Sequence, residues 1–480
     1  MKSRLFSRFV TVVVANLALF TAVQIYAQNS QPVTVNVDPS SSTFTIPDDY
    51  LGLSFETAAI LPDSSGKYTY FRADNAPLIA LFKTIGIKSL RIGGNTSDRP
   101  GVTIPNTKDI DQVFAFAHAA GAKVIYTLRL RDSGPEQAVP IAKYLVDHYK
   151  SDIECIAIGN EPNIYEKQYP KYRDDIQRYL AALTAPGVAP ALKLCGPSTT
   201  SERDSVWSSN FAKDFGPSGR VVWITQHSYP GGNGKIALDV DATRDKLLSS
   251  AFEQNYQQLY ETFAPSVLAA GLSYRIEETN SFYNGGAKDV SNTAASALWG
   301  LDYLFWWAAH QSQGINFHTG DNVAAGEQQT PCWYATFWTK PQGYEIHPIA
   351  YAIKAFDVAS HGKLVAAKFA DDQPEMNVYA VLRSDKSLYV TLINKSHGAS
   401  AHPAAMKLEL PAGYSHAETM SLTSPGNDIG ATAGMKLGGS SISESGEWHG
   451  AWSKAKIVSH SATFELPPAS VLIVKLTTGK

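Results

Sequence analysis

The sequence has little charge, few cysteines and no low-complexity segments, and these shortages exclude several classes of protein. Only 18% of its residues are charged, the formal net charge is -3, and no stripe of lysine or arginine occurs. Nucleic-acid-binding surfaces are strongly basic and disordered chains are poor in hydrophobic residues, so we expect neither nucleic-acid partners nor disorder. The 44% of hydrophobic and 11% of aromatic residues are instead enough for a large globular core.

The chain has three cysteines, and both Cys155 and Cys195 fall in apolar runs that are typical of core strands. We therefore expect no disulfide framework. The histidines are scattered, and no cysteine or histidine spacing fits a metal site. The sequence predicts no metal and no other cofactor.

The amino terminus carries a targeting signal. Basic residues precede an apolar run over residues 9–23, and Ala27 supplies a small residue for cleavage. This arrangement predicts a secretory signal peptide over residues 1–27. A membrane anchor is the alternative, but Asn16 interrupts the run and about 20 apolar residues are usual for a span. We expect a secreted or periplasmic protein that has no membrane partner after cleavage.

Residues 51–355 alternate between short apolar strands and amphipathic helices. Residues 51–56 form the first strand, Pro77 begins and Gly86 ends the next helix, and residues 89–93 form the second strand. This unit repeats until the chain has passed through eight strands. The pattern predicts an α/β fold, a (β/α)8 TIM barrel, rather than an open sheet.

From about residue 356 the hydrophobic period changes to two, with turns rich in glycine and serine. We predict an antiparallel β-sandwich domain over residues 356–480. Residues 28–50 alternate in the same way. We interpret them as amino-terminal strands that pair with the carboxyl-terminal β-domain.

Two glutamates end strands of the predicted barrel. Glu161 follows the fourth strand, and Glu278 ends the seventh. The strands of a parallel barrel point their carboxyl ends at one face, so these side chains can meet there. Two strand-end carboxylates in one cleft suggest glycoside hydrolysis, whereas either glutamate alone would more simply be a solvated or capping residue.

Four motifs resemble those of the retaining glycoside hydrolases of clan A, and in particular family 79, which contains β-glucuronidases and heparanases. In chain order they are Leu90-Arg91-Ile92-Gly93-Gly94-Asn95 with Asp98, Gly159-Asn160-Glu161-Pro162-Asn163, His227-Ser228-Tyr229, and Glu278-Thr279-Asn280-Ser281-Phe282-Tyr283-Asn284-Gly285-Gly286. The Asn-Glu-Pro motif is shared by clan A, and the run that starts at Glu278 indicates family 79. The resemblance covers nearly the whole chain after the signal peptide.

The resemblance implies that Glu161 is the general acid/base and Glu278 the nucleophile. It also implies that Asn160 binds the 2-hydroxyl of the reacting sugar and that Tyr229 holds the nucleophile. Retention needs two carboxyl groups about 5 to 5.5 Å apart, one protonated and one ionised. Glu161 follows an apolar strand, so we expect its pKa to be the raised one.

Glu277 is the alternative nucleophile because it adjoins Glu278. Strand alternation places Glu278 on one face and Glu277 on the other, together with Arg275. We therefore expect Glu277 to pair with Arg275, which leaves Glu278 for catalysis.

A glucuronic acid substrate needs a site for its carboxylate. Backbone N–H groups in the turn that contains Asn284 and Gly285 can form an anion-binding nest, and the hydroxyl of Tyr283 can donate beside them. This resembles the way the family holds the uronate. Tyr334 lies in the long aromatic loop over residues 319–347, which we cannot match to the family, and can add a further donor.

Glu56 and Asp98 end the first and second strands, where they can accept hydrogen bonds from sugar hydroxyls or serve as structural caps. The sequence therefore predicts an exported retaining hydrolase that removes β-linked glucuronic acid, with or without a 4-O-methyl group, from glycans or glucuronides. The alternatives are an endo-acting heparanase-like enzyme, a clan A hydrolase for a neutral sugar, and a non-catalytic carbohydrate-binding protein. No basic cluster suited to sulfated heparan occurs, which weakens the heparanase alternative.

Overall fold

The structure is a computed structural model that describes residues 31–200, 206–322 and 330–479. The predicted signal peptide lies outside these residues. The described chain begins with one long strand, β1 (Val33–Thr45), and then enters eight parallel strands that close into a barrel. The barrel strands are β2 (Leu51–Glu56), β3 (Ser89–Gly93), β4 (Lys123–Leu128), β5 (Ile153–Ile158), β6 (Leu194–Thr199), β7 (Val221–Ser228), β8 (Tyr274–Thr279) and β9 (Ile315–His318).

The barrel strands are covered on both faces, which explains their nearly continuous apolar runs. Every residue of β3, β6, β8 and β9 is buried. The predicted (β/α)8 barrel is confirmed by this closed sheet of eight parallel strands. Its carboxyl-terminal face is where functional side chains of such barrels lie.

Helices connect the strands, and local sequence signals mark their ends. A capping box begins the helix over Thr107–Ala120. The side chain of Asn106 accepts hydrogen bonds from the N–H groups of Lys108 and Asp109, and the side chain of Asp109 accepts one from the Asn106 N–H. The helices of the described residues are α1 (Ala76–Thr84), α2 (Asn95–Asp98), α3 (Thr107–Ala120), α4 (Pro135–Tyr149), α5 (Pro162–Tyr165), α6 (Tyr169–Leu183), α7 (Trp207–Phe215), α8 (Val240–Leu248), α9 (Ser250–Ala269), α10 (Ala294–Ala309) and α11 (Pro348–Ala359). Short 3-10 turns cover Thr57–Ile60, Gly216–Ser218, Gly234–Ile236 and Pro425–Asn427. Among these described helices, none has the length and apolar character that crossing a membrane requires.

The carboxyl-terminal domain is rich in β-sheet, as predicted. A hairpin of β10 (Phe337–Lys340) and β11 (Gly343–Ile346) comes first, inside the aromatic loop that follows β9. The later strands are β12 (Lys363–Phe369), β13 (Met376–Leu382), β14 (Leu388–Asn394), β15 (Ala404–Glu409), β16 (Tyr414–Thr423), β17 (Lys436–Leu437), β18 (Ser453–Lys454), β19 (Ile457–Val458), β20 (Ser461–Leu466) and β21 (Ser470–Thr478).

Hydrogen bonds join these later strands and β1 into one 11-stranded sheet. Strand β1 is a single strand with register shifts between Asp38 and Phe44, and it pairs antiparallel with β12 and parallel with β15. The sheet is therefore mixed rather than purely antiparallel. Leu392 of β14, Met406 of β15 and Leu476 of β21 share one core, so the sheet folds over itself.

Helix α10 lies between the barrel and this sheet. Asp302 of α10 is buried, and its carboxylate accepts hydrogen bonds from Lys395 Nζ at 2.9 Å and from the Tyr379 hydroxyl at 2.7 Å. Removing one partner of an ion pair this well buried strongly destabilises a protein. The contact therefore couples the β-domain to the barrel.

The expectation for the cysteines is corrected by the structure. Cys155 of β5 and Cys195 of β6 form a disulfide, with their Cα atoms 5.7 Å apart. Both strands are apolar, as the sequence indicates, but they are also neighbours in the barrel, and their cysteines share a small cluster with Ile125 and Trp223. Apolar surroundings do not prevent a disulfide when two cysteines on paired strands face the same side.

Candidate active site

A cavity of about 600 Å³ lies at the carboxyl ends of the barrel strands. Its size is within the range of small-molecule sites. Both sequence-predicted catalytic residues and most of the predicted substrate-binding residues line it. The lining includes Glu56, Glu161, Tyr229, Glu278, Tyr283, Asn284, His318 and Tyr334.

Glu161 enters the cavity from the turn between β5 and α5. Its backbone is left-handed, with φ 47°, and its N–H donates to the Ser198 carbonyl at 2.8 Å. A residue other than glycine in this conformation stores about 1 to 3 kcal/mol of strain, which the surrounding contacts must offset. Pro162 follows at the first position of α5, where the missing N–H is tolerated. The turn thus ends the strand and directs Glu161 toward the cavity.

Glu278 reaches the cavity because of a bulge in β8. Tyr274 and Ile276 face the helices, so strict alternation would also direct Glu278 away from the barrel axis. One extra residue of β8 is inserted relative to both neighbours, since pairing shifts between Ile276 and Glu278 on the β7 side and between Ile276 and Thr279 on the β9 side. A bulge of this kind re-aims a side chain. Glu277 and Glu278 therefore both lie within reach of His227.

Glu278 is surrounded by donors and positive charge. Arg91 Nη1 donates to its Oε2 at 2.5 Å, and the Tyr229 hydroxyl donates to its Oε1 at 2.9 Å. Burial alone would raise the pKa of Glu278, but the charges of His318, His227 and Arg91 and the bond from Tyr229 outweigh it and hold the pKa well below its usual range. Glu278 is therefore ionised at neutral pH.

Arg91 has a second role, because it also fixes Asn160. Its guanidinium is fully buried and donates from Nη2 to Asn160 Oδ1 at 2.7 Å. Gly93 makes room for this group, since a Cβ at Gly93 would lie 2.2 Å from Arg91 Cζ. The glycine in the predicted motif is thus explained by the close approach of a side chain, and Arg91 is a site residue that our sequence analysis did not assign.

His227 lies between three carboxylates. Its Nδ1 is 3.0 Å from Glu161 Oε1 and 3.9 Å from Glu278 Oε1, and its Nε2 is 3.5 Å from Glu277 Oε1. Burial lowers the pKa of His227, but the charge of Glu278 and the bonds to Glu161 and Glu277 raise it to about 9. The ring is therefore protonated at neutral pH, with an N–H directed at a carboxylate on each side.

The expected pairing of Glu277 with Arg275 is wrong. Among the described residues no ion pair joins them, and Arg275 donates instead to Asn316 Oδ1 at 2.8 Å and to the Asp49 carbonyl at 3.0 Å. Arg275 and Glu277 share one side of β8, but Arg275 bonds to groups near the amino ends of the strands, whereas Glu277 lies two residues further along and faces His227. Alternation within one strand could not reveal this, because it predicts the side that a residue faces and not the partners that neighbouring strands supply.

The described residues include one group that could in principle hold a cation. Glu161, His227 and Glu278 bring potential ligand atoms within 4.8 Å of one another. Two members of this group, Glu161 and Glu278, are the carboxylates that the sequence predicts to be catalytic.

The other strand-end acids differ in environment. Glu56 lines the cavity, and its Oε2 accepts from the Thr96 N–H at 2.7 Å at the start of α2. Burial would raise the pKa of Glu56, but the bond and charge of His318 and the bonds from Thr96 lower it. Glu56 therefore combines the capping and cavity positions that the sequence left open.

Asp98 is saturated by the protein. Its Oδ1 accepts from the N–H groups of Leu130 and Arg131, and its Oδ2 accepts from the Asn160 N–H at 2.8 Å and the Tyr165 hydroxyl at 2.7 Å. Asp98 and Asn160 line a smaller pocket of about 160 Å³, which shares Glu161 with the main cavity. These contacts favour the structural alternative, in which Asp98 holds Asn160 in place.

The predicted uronate-binding residues lie in the turn after β8 and in the aromatic loop after β9. Tyr283 is 43% exposed there, whereas Tyr334 is buried and packs near Tyr229 with ring centroids 6.2 Å apart. Asn284 and Gly285 have left-handed backbone, with φ 61° and 80°, and the Gly285 carbonyl accepts from the Trp333 N–H at 2.6 Å. The aromatic loop therefore supplies a wall of the cavity through Tyr334.

Three site residues had no role in our sequence analysis: Arg91, His227 and His318. His318 ends β9, with Nδ1 3.0 Å from Ser54 Oγ and Nε2 3.7 Å from Glu56 Oε1. His227 and His318 are polar residues at the carboxyl ends of buried strands, and Arg91 is a charged residue inside the buried strand β3. These positions are the signal by which the three could have been found.

The chain has the fold of solved glycoside hydrolases, although no protein-family model matches it. A 4-O-α-L-rhamnosyl-β-D-glucuronidase from Fusarium oxysporum has a TM-score of 0.73 at 19% identity, covering 92% of this chain and 100% of that chain. A family 51 arabinofuranosidase from Xanthomonas axonopodis pv. citri has a TM-score of 0.67 at 14% identity, covering 93% of this chain and 100% of that chain. Identities this low show a shared fold alone.

Sequence similarity points to a narrower group. A β-glucuronidase from Aspergillus niger is 28% identical over 338 residues, with 59% of this chain and 60% of the relative covered. The chain thus spans 60% of the length of the curated relative that it matches. The sequence similarity is thus to a β-glucuronidase, while the shared fold is one that glycoside hydrolases with different substrates have in common.

Proposed function

We propose that this protein is a retaining β-glucuronidase that removes β-linked glucuronic acid, with or without a 4-O-methyl group, from glycans or glucuronides. The observation that carries the proposal is the approach of the Glu161 and Glu278 carboxylate oxygens within 4.8 Å. Retaining glycosidases hold their carboxyl groups about 5 to 5.5 Å apart, whereas inverting enzymes need about 6.5 to 9.5 Å to admit water between them. The similarity to the Aspergillus niger β-glucuronidase supports the choice of sugar.

The reaction would proceed in two displacements. In the first, ionised Glu278 attacks the anomeric carbon while Glu161 gives its proton to the glycosidic oxygen, so the C1–O bond breaks and a covalent glycosyl-enzyme forms. In the second, Glu161 takes a proton from water, the water oxygen attacks C1, and the carboxylate of Glu278 is released. Each residue returns to its starting state.

The contacts of the two glutamates suit these roles. His318, His227, Arg91 and Tyr229 keep Glu278 ionised, and the hydrogen bonds from Arg91 and Tyr229 orient it for attack. His227 donates to Oε1 of Glu161, which leaves Oε2 to carry the proton toward the leaving group. Asn160, fixed by Arg91 and Asp98, is placed to bind the 2-hydroxyl.

The uronate carboxylate would be bound by neutral donors. No lysine or arginine is part of the described cavity lining. Tyr283, Asn284 and Tyr334 line the cavity, and the backbone at Asn284 and Gly285 is left-handed, a conformation in which consecutive N–H groups can converge on an anion. Neutral donors can orient a carboxylate without a large basic field.

A panel of p-nitrophenyl glycosides tests the substrate. We expect hydrolysis of the β-glucuronide in preference to the β-glucoside and β-xyloside, and its loss in Glu278→Ala. Tyr283→Phe should lower activity on the glucuronide more than on either neutral glycoside. Equal losses on all three would contradict the uronate site.

The stereochemistry of the product tests retention separately. Proton NMR during turnover should show the β-anomer of free glucuronic acid first, with the α-anomer appearing later by mutarotation. Direct formation of the α-anomer would show inversion. That result would exclude Glu278 as a covalent nucleophile.

A neutral-sugar hydrolase is the second candidate, and the absence of lysine and arginine from the described lining favours it. It predicts activity on the xyloside or an arabinofuranoside and none on the glucuronide. A non-catalytic binding protein predicts no turnover of any glycoside. The same panel therefore separates the three possibilities.

We also propose that the protein is exported to the periplasm or the medium. The pattern of residues 1–27 supports this. Amino-terminal sequencing of protein recovered outside the cytoplasm should begin at Gln28. Recovery of a chain that retains residues 1–27 would contradict cleavage.

A further inference from the structure

Glu277 is a buried carboxylate that the proposed reaction does not use. Its exposed fraction is 0%, and no hydrogen bond of normal geometry reaches its oxygens among the described residues, although looser contacts with His227 and Ser198 favour its ionised form. Burying an ionised carboxylate is strongly unfavourable unless an opposite charge accompanies it. A buried glutamate at this position therefore needs a positively charged partner close to it.

That partner is the Nε2 side of the His227 ring. Its Nε2 lies 3.5 Å from Glu277 Oε1, while its Nδ1 lies 3.0 Å from Glu161 Oε1. The imidazole thus bridges the proposed acid/base and Glu277. A neutral ring has only one N–H, so it would direct a lone pair at one of these carboxylates, whereas an imidazolium donates to both.

The charges around His227 come from three strands. Glu161 faces it from the end of β5, and Glu277 and Glu278 face it from β8. Arg91 of β3 contributes positive charge, but its guanidinium is bonded directly to Glu278. Glu277 is therefore the carboxylate near the ring that is neither a reacting group nor paired with Arg91.

We propose that Glu277 is a positioning residue that keeps His227 an imidazolium throughout the reaction, so that His227 always donates to Oε1 of Glu161. The inference rests on the proposed retaining mechanism. In the first displacement Glu161 becomes negative as its proton passes to the glycosidic oxygen, and a fixed positive charge beside it stabilises that change. In the second displacement the proton from water returns to Glu161, and His227 keeps both of its own protons.

This assignment predicts a specific dependence on the leaving group. A p-nitrophenolate leaves with little help from an acid, whereas an alkoxide needs a proton from Glu161. Loss of the charge at Glu277 should therefore affect an alkyl glucuronide far more than an aryl glucuronide. A merely structural role would lower both rates together.

The first experiment measures His227 directly by NMR. In full-length protein with isotope-labelled histidine, the His227 ring is assigned by its loss in His227→Asn and titrated in wild type and in Glu277→Gln, which keeps the shape but removes the charge. We expect a midpoint near about 9 in wild type and a fall of about 1 to 3 units in the variant, the range that one nearby charge produces. Glu154→Gln is the matched control: Glu154 lies on β5 beside Lys123, and its replacement should leave the midpoint unchanged.

The second experiment compares kcat/KM on methyl and p-nitrophenyl β-glucuronides. In Glu277→Gln we expect a loss of about tenfold or more on the methyl glycoside and less than about twofold on the aryl glycoside. An unchanged His227 midpoint in the variant, or equal losses on both substrates, would overturn the proposal. Should Glu277→Gln not fold, wild-type protein still decides, since a neutral His227 at pH 7 overturns the proposal. If wild type hydrolyses no glucuronide, the proposed function fails on its own, while the titration still tests the effect of Glu277 on His227.

Discussion

Replacement of Arg91 by methionine should change the acidic side of the activity profile. Arg91 contacts Glu278 at 2.5 Å and is fully buried, so its charge is poorly screened by water. Two unit charges about 4 Å apart interact by about 4 kcal/mol at an effective dielectric constant of about 20. This corresponds to about 3 pKa units. His227, His318 and Tyr229 remain in the variant, so this is an upper bound on the rise in the Glu278 pKa.

The direction of the effect follows from the ionisation of Glu278. Its pKa lies well below the usual range in the folded protein, and loss of Arg91 raises it. The nucleophile would then be protonated at a higher pH, so the acidic limb of kcat/KM should move toward neutral pH. The assay is the pH dependence of kcat/KM on p-nitrophenyl β-glucuronide for Arg91→Met and wild type.

Arg275→Met is the matched control. Arg275 is also a fully buried arginine on a barrel strand, but it bonds to Asn316 and to backbone carbonyls at the other end of the barrel. Its replacement should lower stability without moving the acidic limb. A folded Arg91→Met variant that keeps the wild-type acidic limb, or an Arg275→Met variant that moves it as far, would refute this role of Arg91.

Unfolding measurements give an independent check on the same pair. A carboxylate whose pKa is lowered by folding stabilises the protein above its unfolded pKa of about 4.3, and this contribution is lost as pH falls through the folded pKa. Part of the stability that the protein loses on acidification comes from Glu278. This part should be smaller in Arg91→Met than in wild type. Thermal unfolding of the variant and wild type across the acidic range measures this difference. An identical pH dependence would contradict the lowered pKa.

Three further substitutions test the supports of the site and of the fold. Gly93→Ala should lower kcat/KM by about 100-fold, because its Cβ would displace the guanidinium of Arg91, and misplacement by about 1 Å has effects of this size; wild-type kinetics would show that the side chain can move aside. Asp302→Ala should lower the free energy of unfolding by about 3 to 5 kcal/mol by leaving Lys395 as a buried unpaired charge; a change below about 1 kcal/mol in denaturant melts would contradict the coupling of barrel and sheet. Cys195→Ala removes a disulfide with a sequence separation of 40 and should lower the free energy of unfolding by about 3 to 5 kcal/mol. The stability of the variant should no longer depend on reductant. A variant whose stability still falls with reductant would contradict this pairing.

Much of the architecture could be predicted because local sequence patterns determine the type and order of the helices and strands. Apolar runs, helix periodicity and Pro and Gly signals repeat within a few residues of each element, and eight repeats allow few alternatives to a closed barrel. Glu161 and Glu278 lie at the ends of the fourth and seventh strands of the barrel. Closure of parallel strands brings such ends to one face, but the bulge in β8 is also needed to turn Glu278 toward the cavity.

Other features depended on which strands are neighbours and in what register. The bond between Cys155 and Cys195 requires that β5 and β6 be adjacent, and the approach of Glu278 to the cavity requires a bulge whose extra residue is defined only by pairing with β7 and β9. The saturation of Asp98 likewise comes from the turns after β4 and β5.

The sequence by itself thus determined the order and type of the elements and the end of the barrel at which the acids lie. The tertiary structure decided how each acid is used. It made Glu278 ionised through His318, His227, Arg91 and Tyr229, made Asp98 a structural acceptor, and placed Glu277 behind His227. The physical reason is that periodicity is a property of neighbouring residues, whereas the pKa of a buried group is set by charges that the fold brings from distant parts of the chain.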